Sequence, residues 1–182
     1  DQAHTFALFQ KWIDVIGSNG LIQTVEKLQP ECHDVAHDLG RLIYQRYGTV
    51  GDALRVCNNA CNSACMHGVL MEFFRNNGAV TSTGAIVTTT TMKAKEVAPD
   101  PDHVTLEDVQ EKILIVCGNT EVSSDPTMAA NYKQGDCVHG VGHAVMFLAN
   151  YDIPKAIHFC ELFHSPVLRY YCATGAYMEY VT

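Results

Sequence analysis

The stretch Glu31-Cys32-His33-Asp34-Val35-Ala36-His37 decides how this chain reads, because Asp136-Cys137-Val138-His139-Gly140-Val141-Gly142-His143 repeats its chemistry further along. Each stretch holds a His-x-x-x-His pair, and residues four apart stand one turn apart on one face of a helix. Each is followed by Cys-x-x-Gly-x-x-Met-Glu: Cys65, Gly68, Met71 and Glu72 in the first case, Cys172, Gly175, Met178 and Glu179 in the second. Setting His33 on His139 and His37 on His143 leaves 35 residues to the first Glu and 36 to the second. Chance would give roughly 0.4 such His pairs in a chain with this many histidines, so two at equivalent places point to an internal duplication.

Outward from these stretches the pattern is helical. Phe6, Phe9, Trp12, Ile13 and Ile16 recur at helical spacing after Thr5, and Gly17 and Gly20 separate them from a second helix, Leu21 to Leu28. The segment from Glu31 carries both histidines toward Gly48, and a short helix runs through Leu54 and Val56. Cys57 to Cys65 is small and polar, which suits an irregular, disulfide-tied segment leading into a helix at Met66 to Phe74. Residues 76 to 102 change character, with Asn-Asn-Gly, a threonine run and Ala98-Pro-Asp-Pro-Asp102, and read as a connecting excursion with a short extended piece. Thr105-Leu-Glu-Asp108 is a capping sequence for the next helix, and Ser123-Ser-Asp-Pro126 a turn that restarts a helix. After Gly135 the second histidine stretch opens a run from Val138 to Leu148. Helices follow from Ile153 and from Pro166. Few stretches alternate with period two, so the fold class is all-α. We expect one domain over 1–182: repeat A at about 31–75, a connecting segment at about 76–130 and repeat B at about 136–182, packed about a pseudo-two-fold axis.

Composition narrows the function. A chain of 182 residues can bury one ordinary core. A net charge of -8, with 12 scattered Lys and Arg, disfavours nucleic acid and anionic lipid as partners and leaves cationic ligands open. Eight cysteines, without a Cys-x-x-Cys pair, suit a disulfide framework better than thiolate metal ligation, which makes the chain extracytoplasmic: periplasmic, secreted or an ectodomain. Equivalent positions in the repeats favour Cys57 with Cys65 and Cys160 with Cys172. The chain begins at Asp1 and has neither a signal peptide nor an apolar run long enough to span a membrane, as expected of a mature extracytoplasmic form.

The site expected from these features is a His/Glu transition-metal centre at the interface of the two repeats. Its ligands would be His33, His37, His139, His143, Glu72 and Glu179, with Asp34 and Asp38 orienting the imidazoles. His67 breaks the symmetry, since Thr174 stands at its partner position, and is the candidate catalytic, proton-transferring residue. Imidazole and carboxylate ligands rank iron and zinc first, with copper and manganese behind, and a small-molecule substrate would make this a metalloenzyme, hydrolytic with zinc or redox with iron. The alternative is a non-catalytic, disulfide-stabilised helical binding or sensor module whose histidines serve packing or pH sensing. His37-Asp38 resembles the doublet of the HD phosphohydrolases, but His33 lies too near to act as that family's distant upstream ligand. Cys-x-x-Cys-His, His-Glu-x-x-His and Gly-x-Ser-x-Gly are absent.

Overall fold

A computed structural model describes residues 2–76, 104–117 and 128–181. These form eight helices and no strand: α1 (Gln2–Leu28), α2 (His33–Tyr47), α3 (Val50–Val56), α4 (Ala64–Arg75), α5 (Leu106–Cys117), α6 (Met128–Leu148), α7 (Ile153–Cys160) and α8 (Pro166–Val181). The first two expected helices are the halves of α1, which breaks at Gly17, where φ of 73° lies in the left-handed region that glycine enters without strain. α2 ends as expected at Gly48, whose left-handed backbone donates its N–H to the Tyr44 carbonyl. Thr105 and Asp108 cap α5 reciprocally: the Asp108 N–H donates to Thr105 Oγ1 and the Thr105 N–H to Asp108 Oδ2. The helix expected to restart after Pro126 and the histidine run expected after Gly135 are one element, since α6 runs from Met128 straight through Gly135. One glycine inside a helix costs only about 1 kcal/mol, which packing of the neighbouring turns offsets. The connecting excursion and the Ser123–Pro126 turn lie outside the described residues.

α4 and α6 pack together at the centre, with α2 against α4 and α8 against α6. Both outer contacts bring backbones unusually close. A Cβ on Gly40 or Gly68 would collide with the carbonyl of Cys65 or His37, and a Cβ on Gly142 or Gly175 with that of Cys172 or His139. One apolar core runs through all these helices and includes Leu39, Ile43, Leu70, Phe74, Val145 and Phe163.

All eight cysteines are paired: Cys32–Cys61, Cys57–Cys65, Cys117–Cys137 and Cys160–Cys172. The second and fourth are the pairs that repeat position favoured. Full pairing leaves no resting dithiol and points to an oxidising, extracellular-type environment. Each bridge closes a loop of a length for which about 3 kcal/mol of stabilisation is usual. No helix among the described residues is long and apolar enough to cross a membrane.

Candidate metal centre

Five histidines meet where α2, α4 and α6 come together. His33 and His37 share a face of α2, His67 lies one turn into α4, and His139 and His143 share a face of α6. The two expected pairs do face each other, with ring centroids 4.7 Å apart for His37 and His143 and 5.8 Å for His33 and His143. His67 stands between them, 5.2 Å from His143 and 5.0 Å from His139. One ring nitrogen each from His33, His37, His67 and His143 lies within 4.8 Å of the others, and this group can hold a metal ion. Tetrahedral coordination at about 2.05 Å separates ligand nitrogens by about 3.3 Å, so the widest pair would draw in by roughly 1.5 Å.

The hydrogen bonds behind the rings fix where their lone pairs point. His33 Nδ1 lies 3.1 Å from the Cys61 carbonyl, which only accepts, so Nδ1 carries the proton and Nε2 is bare. Thr174 Oγ1 donates its own proton to the Tyr171 carbonyl at 2.7 Å, so it accepts from His139 Nδ1 at 3.0 Å. Glu179 Oε2 accepts from His143 Nδ1 at 3.0 Å. With both Nδ1 atoms engaged behind the rings, the Nε2 atoms of His139 and His143 face each other at 3.3 Å. Two such nitrogens face each other stably only with a proton or a metal cation between or beside them. Buried and without a hydrogen-bond partner besides are His33 Nε2, His37 Nε2 and both ring nitrogens of His67. An unsatisfied buried polar group costs about 1–3 kcal/mol, so four atoms in one place form a costly arrangement that a bound cation would relieve.

Burial favours the neutral form of His33, His37, His67 and His139. It holds His37 and His67 well below the usual histidine range, with the neighbouring His143 adding to the effect in both cases. It lowers His33 less, because the Cys61 carbonyl favours its protonated form. His139 is lowered to about 4, by burial first and then by His143. Neutral imidazole is the form that binds metal.

The expected carboxylates lie differently. Glu179 stands behind His143, with Tyr151 Oη also 3.5 Å from its Oε1, in the orienting position that metal-binding imidazoles commonly have. Glu72, 1 % exposed, accepts through Oε1 from Gln45 at 2.9 Å and Asn76 at 3.2 Å. Neither belongs to the four-histidine group. Asp34 is exposed, and Asp38 pairs with Arg41 at 3.6 Å. Sequence reasoning missed the Cys61 carbonyl and Thr174 as orienting groups. Thr174 had left a signal as the residue opposite His67 in the repeat, whereas a backbone carbonyl leaves none.

Comparison with known proteins found no family that matches this chain, no similar curated protein and no similar solved structure.

Proposed function

We propose that this chain is an extracytoplasmic metal-binding protein whose central helices hold one transition-metal ion through His33, His37, His67 and His143. The observation that carries this reading is the convergence of four histidines, three of which hold buried ring nitrogens without a hydrogen-bond partner: His33 Nε2, His37 Nε2 and both nitrogens of His67. His139 stands beside the four as a fifth donor, and Glu179 orients His143 rather than binding the ion. Glu72 is instead a buried carboxylate held by the side-chain amides of Gln45 and Asn76. An all-imidazole set suits zinc, iron or copper better than manganese, which prefers oxygen ligands. As a metalloenzyme the site would draw on water activation with zinc or on redox chemistry with iron, and His67 would then be a ligand rather than a separate proton carrier.

The glycine contacts also support a duplication, in a different register from the one the histidine spacing suggests. Gly40 and Gly68 meet Cys65 and His37 as Gly142 and Gly175 meet Cys172 and His139. In that register His37 corresponds to His139, Arg41 to His143 and His67 to Thr174, so a single off-centre site results from two related halves.

A second reading is a closed structural ion in a binding module. It is favoured by the complete burial of His143 and of the unpartnered nitrogens of His33, His37 and His67. Elemental analysis of gently purified protein tests the shared claim. About one transition-metal ion per chain is expected, lost in His37→Ala and His143→Ala variants that still fold, and metal at background in the wild type would end both readings. Turnover or its absence in the loaded protein then separates enzyme from module.

A further inference from the structure

A cavity of about 540 Å³ opens beside the histidine cluster, with His37 and Glu179 in its wall together with Arg41, Arg75, Phe147 and Tyr151. That volume suits a small molecule. A neighbouring cavity of about 440 Å³ shares Asp38, Arg41, Glu72 and Arg75 with it, so the two half-buried arginines stand where the cavities adjoin.

Hydrogen-bonding capacity in this wall is unequally used. Arg41 has Asp38 at 3.6 Å, beyond ordinary hydrogen-bond length, and the Met71 sulfur at 3.9 Å, a weak acceptor. The Arg75 guanidinium lies over the Phe147 ring at 5.6 Å, which occupies its face and leaves its N–H edge open. The buried acids are engaged instead: Glu72 by Gln45 and Asn76, and Glu179 by His143 and Tyr151. The two arginines therefore keep N–H donors for a ligand at the cavity surface, while Asp34 and Asp38 are the remaining acids in the wall.

We propose that Arg41 and Arg75 together bind the oxyanion group of a small substrate, a carboxylate or a phosphate, and hold the rest of it against the His37 side of the metal centre. The guanidinium fork matches both groups in geometry. The proposal rests on the metal-centre reading for the purpose of binding, while the binding itself needs only the arginines.

Calorimetric titration of the full chain with sodium acetate, inorganic phosphate and, as a cationic control, methylammonium tests it. At least one anion should bind and methylammonium should not, and the tighter anion identifies the group. Arg41→Gln and Arg75→Gln should each weaken that binding about tenfold or more without changing metal content. Arg41→Lys and Arg75→Lys, which keep the charge and lose the fork, provide the same comparison should a Gln variant fail to fold. The proposal is overturned if neither anion binds with a Kd below about 10 mM, if methylammonium binds as well as the anions, or if affinity is unchanged in the folded variants. Anion binding with metal at background would sink the metal reading alone. Metal present without anion binding would sink this one alone.

Discussion

In the α2/α4 pair, Gly40 lies on the Cys65 carbonyl and Gly68 on that of His37; in the α6/α8 pair, Gly142 lies on Cys172 and Gly175 on His139. The backbones approach alike, yet the residues one step from these contacts differ. Before the second glycine stands His67 in one pair and Thr174 in the other; after the first stands Arg41 in one and His143 in the other. Thr174 satisfies the His139 Nδ1, whereas both nitrogens of His67 have no hydrogen-bond partner. His143 points a lone pair into the cluster, while Arg41 lines the cavity beside it. Beside two similar glycine crossings, different neighbouring residues thus place unpartnered nitrogens in one spot and arginine donors in the next. Glycine contacts set the frame, and the chemistry depends on which residue stands next to them.

The frame can be broken most severely at the glycines. Gly68→Ala and Gly175→Ala each force a methyl into a carbonyl, and each should cost about 3 kcal/mol or more in denaturant unfolding. Similar losses would support equivalent crossings, and tolerance of either would break the comparison. Next come the disulfides. Replacing Cys32 and Cys61 by Ser, or Cys117 and Cys137, should cost about 3 kcal/mol in each case. Only the first pair holds the Cys61 carbonyl against His33, so only that variant should also lose metal affinity beyond its loss of stability.

The orienting groups sharpen the contrast between the halves. Glu179→Gln and Thr174→Val should weaken metal binding about 10- to 100-fold, the usual range for partners of ligand imidazoles, and competition with a chromophoric chelator reads the change. Glu179→Gln should have the larger effect, because it acts on His143 within the four-histidine group. Gln45→Ala touches Glu72 alone and should leave metal affinity unchanged.

Acid has the most graded effect. In chelator-treated protein, His139 is lowered to about 4 from 6.5. The unfolded chain therefore binds the proton first, and stability present above pH 6.5 falls as pH drops toward 4. Circular dichroism across that window should show the loss, and His139→Gln should flatten it.

Much of the fold was legible in the sequence because helical periodicity, capping residues and glycine stops are local signals. α2 ends at Gly48 and α5 begins at its capping box for that reason. The disulfides Cys57–Cys65 and Cys160–Cys172 followed from short loops at equivalent positions. The facing of the two histidine pairs was also readable, since a repeated one-face pattern has to converge on something. The continuity of α6 across Gly135 was not, because glycine is a stop signal only where no packing overrides it. The places of Glu72 and Glu179 depended on which neighbour each helix face meets, and spacing along one chain does not contain that information. His67 looked exceptional for the same reason. Its companions come from α2 and α6, and only tertiary packing supplies them.

X-ray absorption spectroscopy at the metal edge of the purified protein reads the ligand set of the histidine cluster. The account predicts a first shell of four or five imidazole nitrogens at about 2.0–2.1 Å, without sulfur. A shell dominated by carboxylate or water oxygens, or no metal to measure, would contradict it.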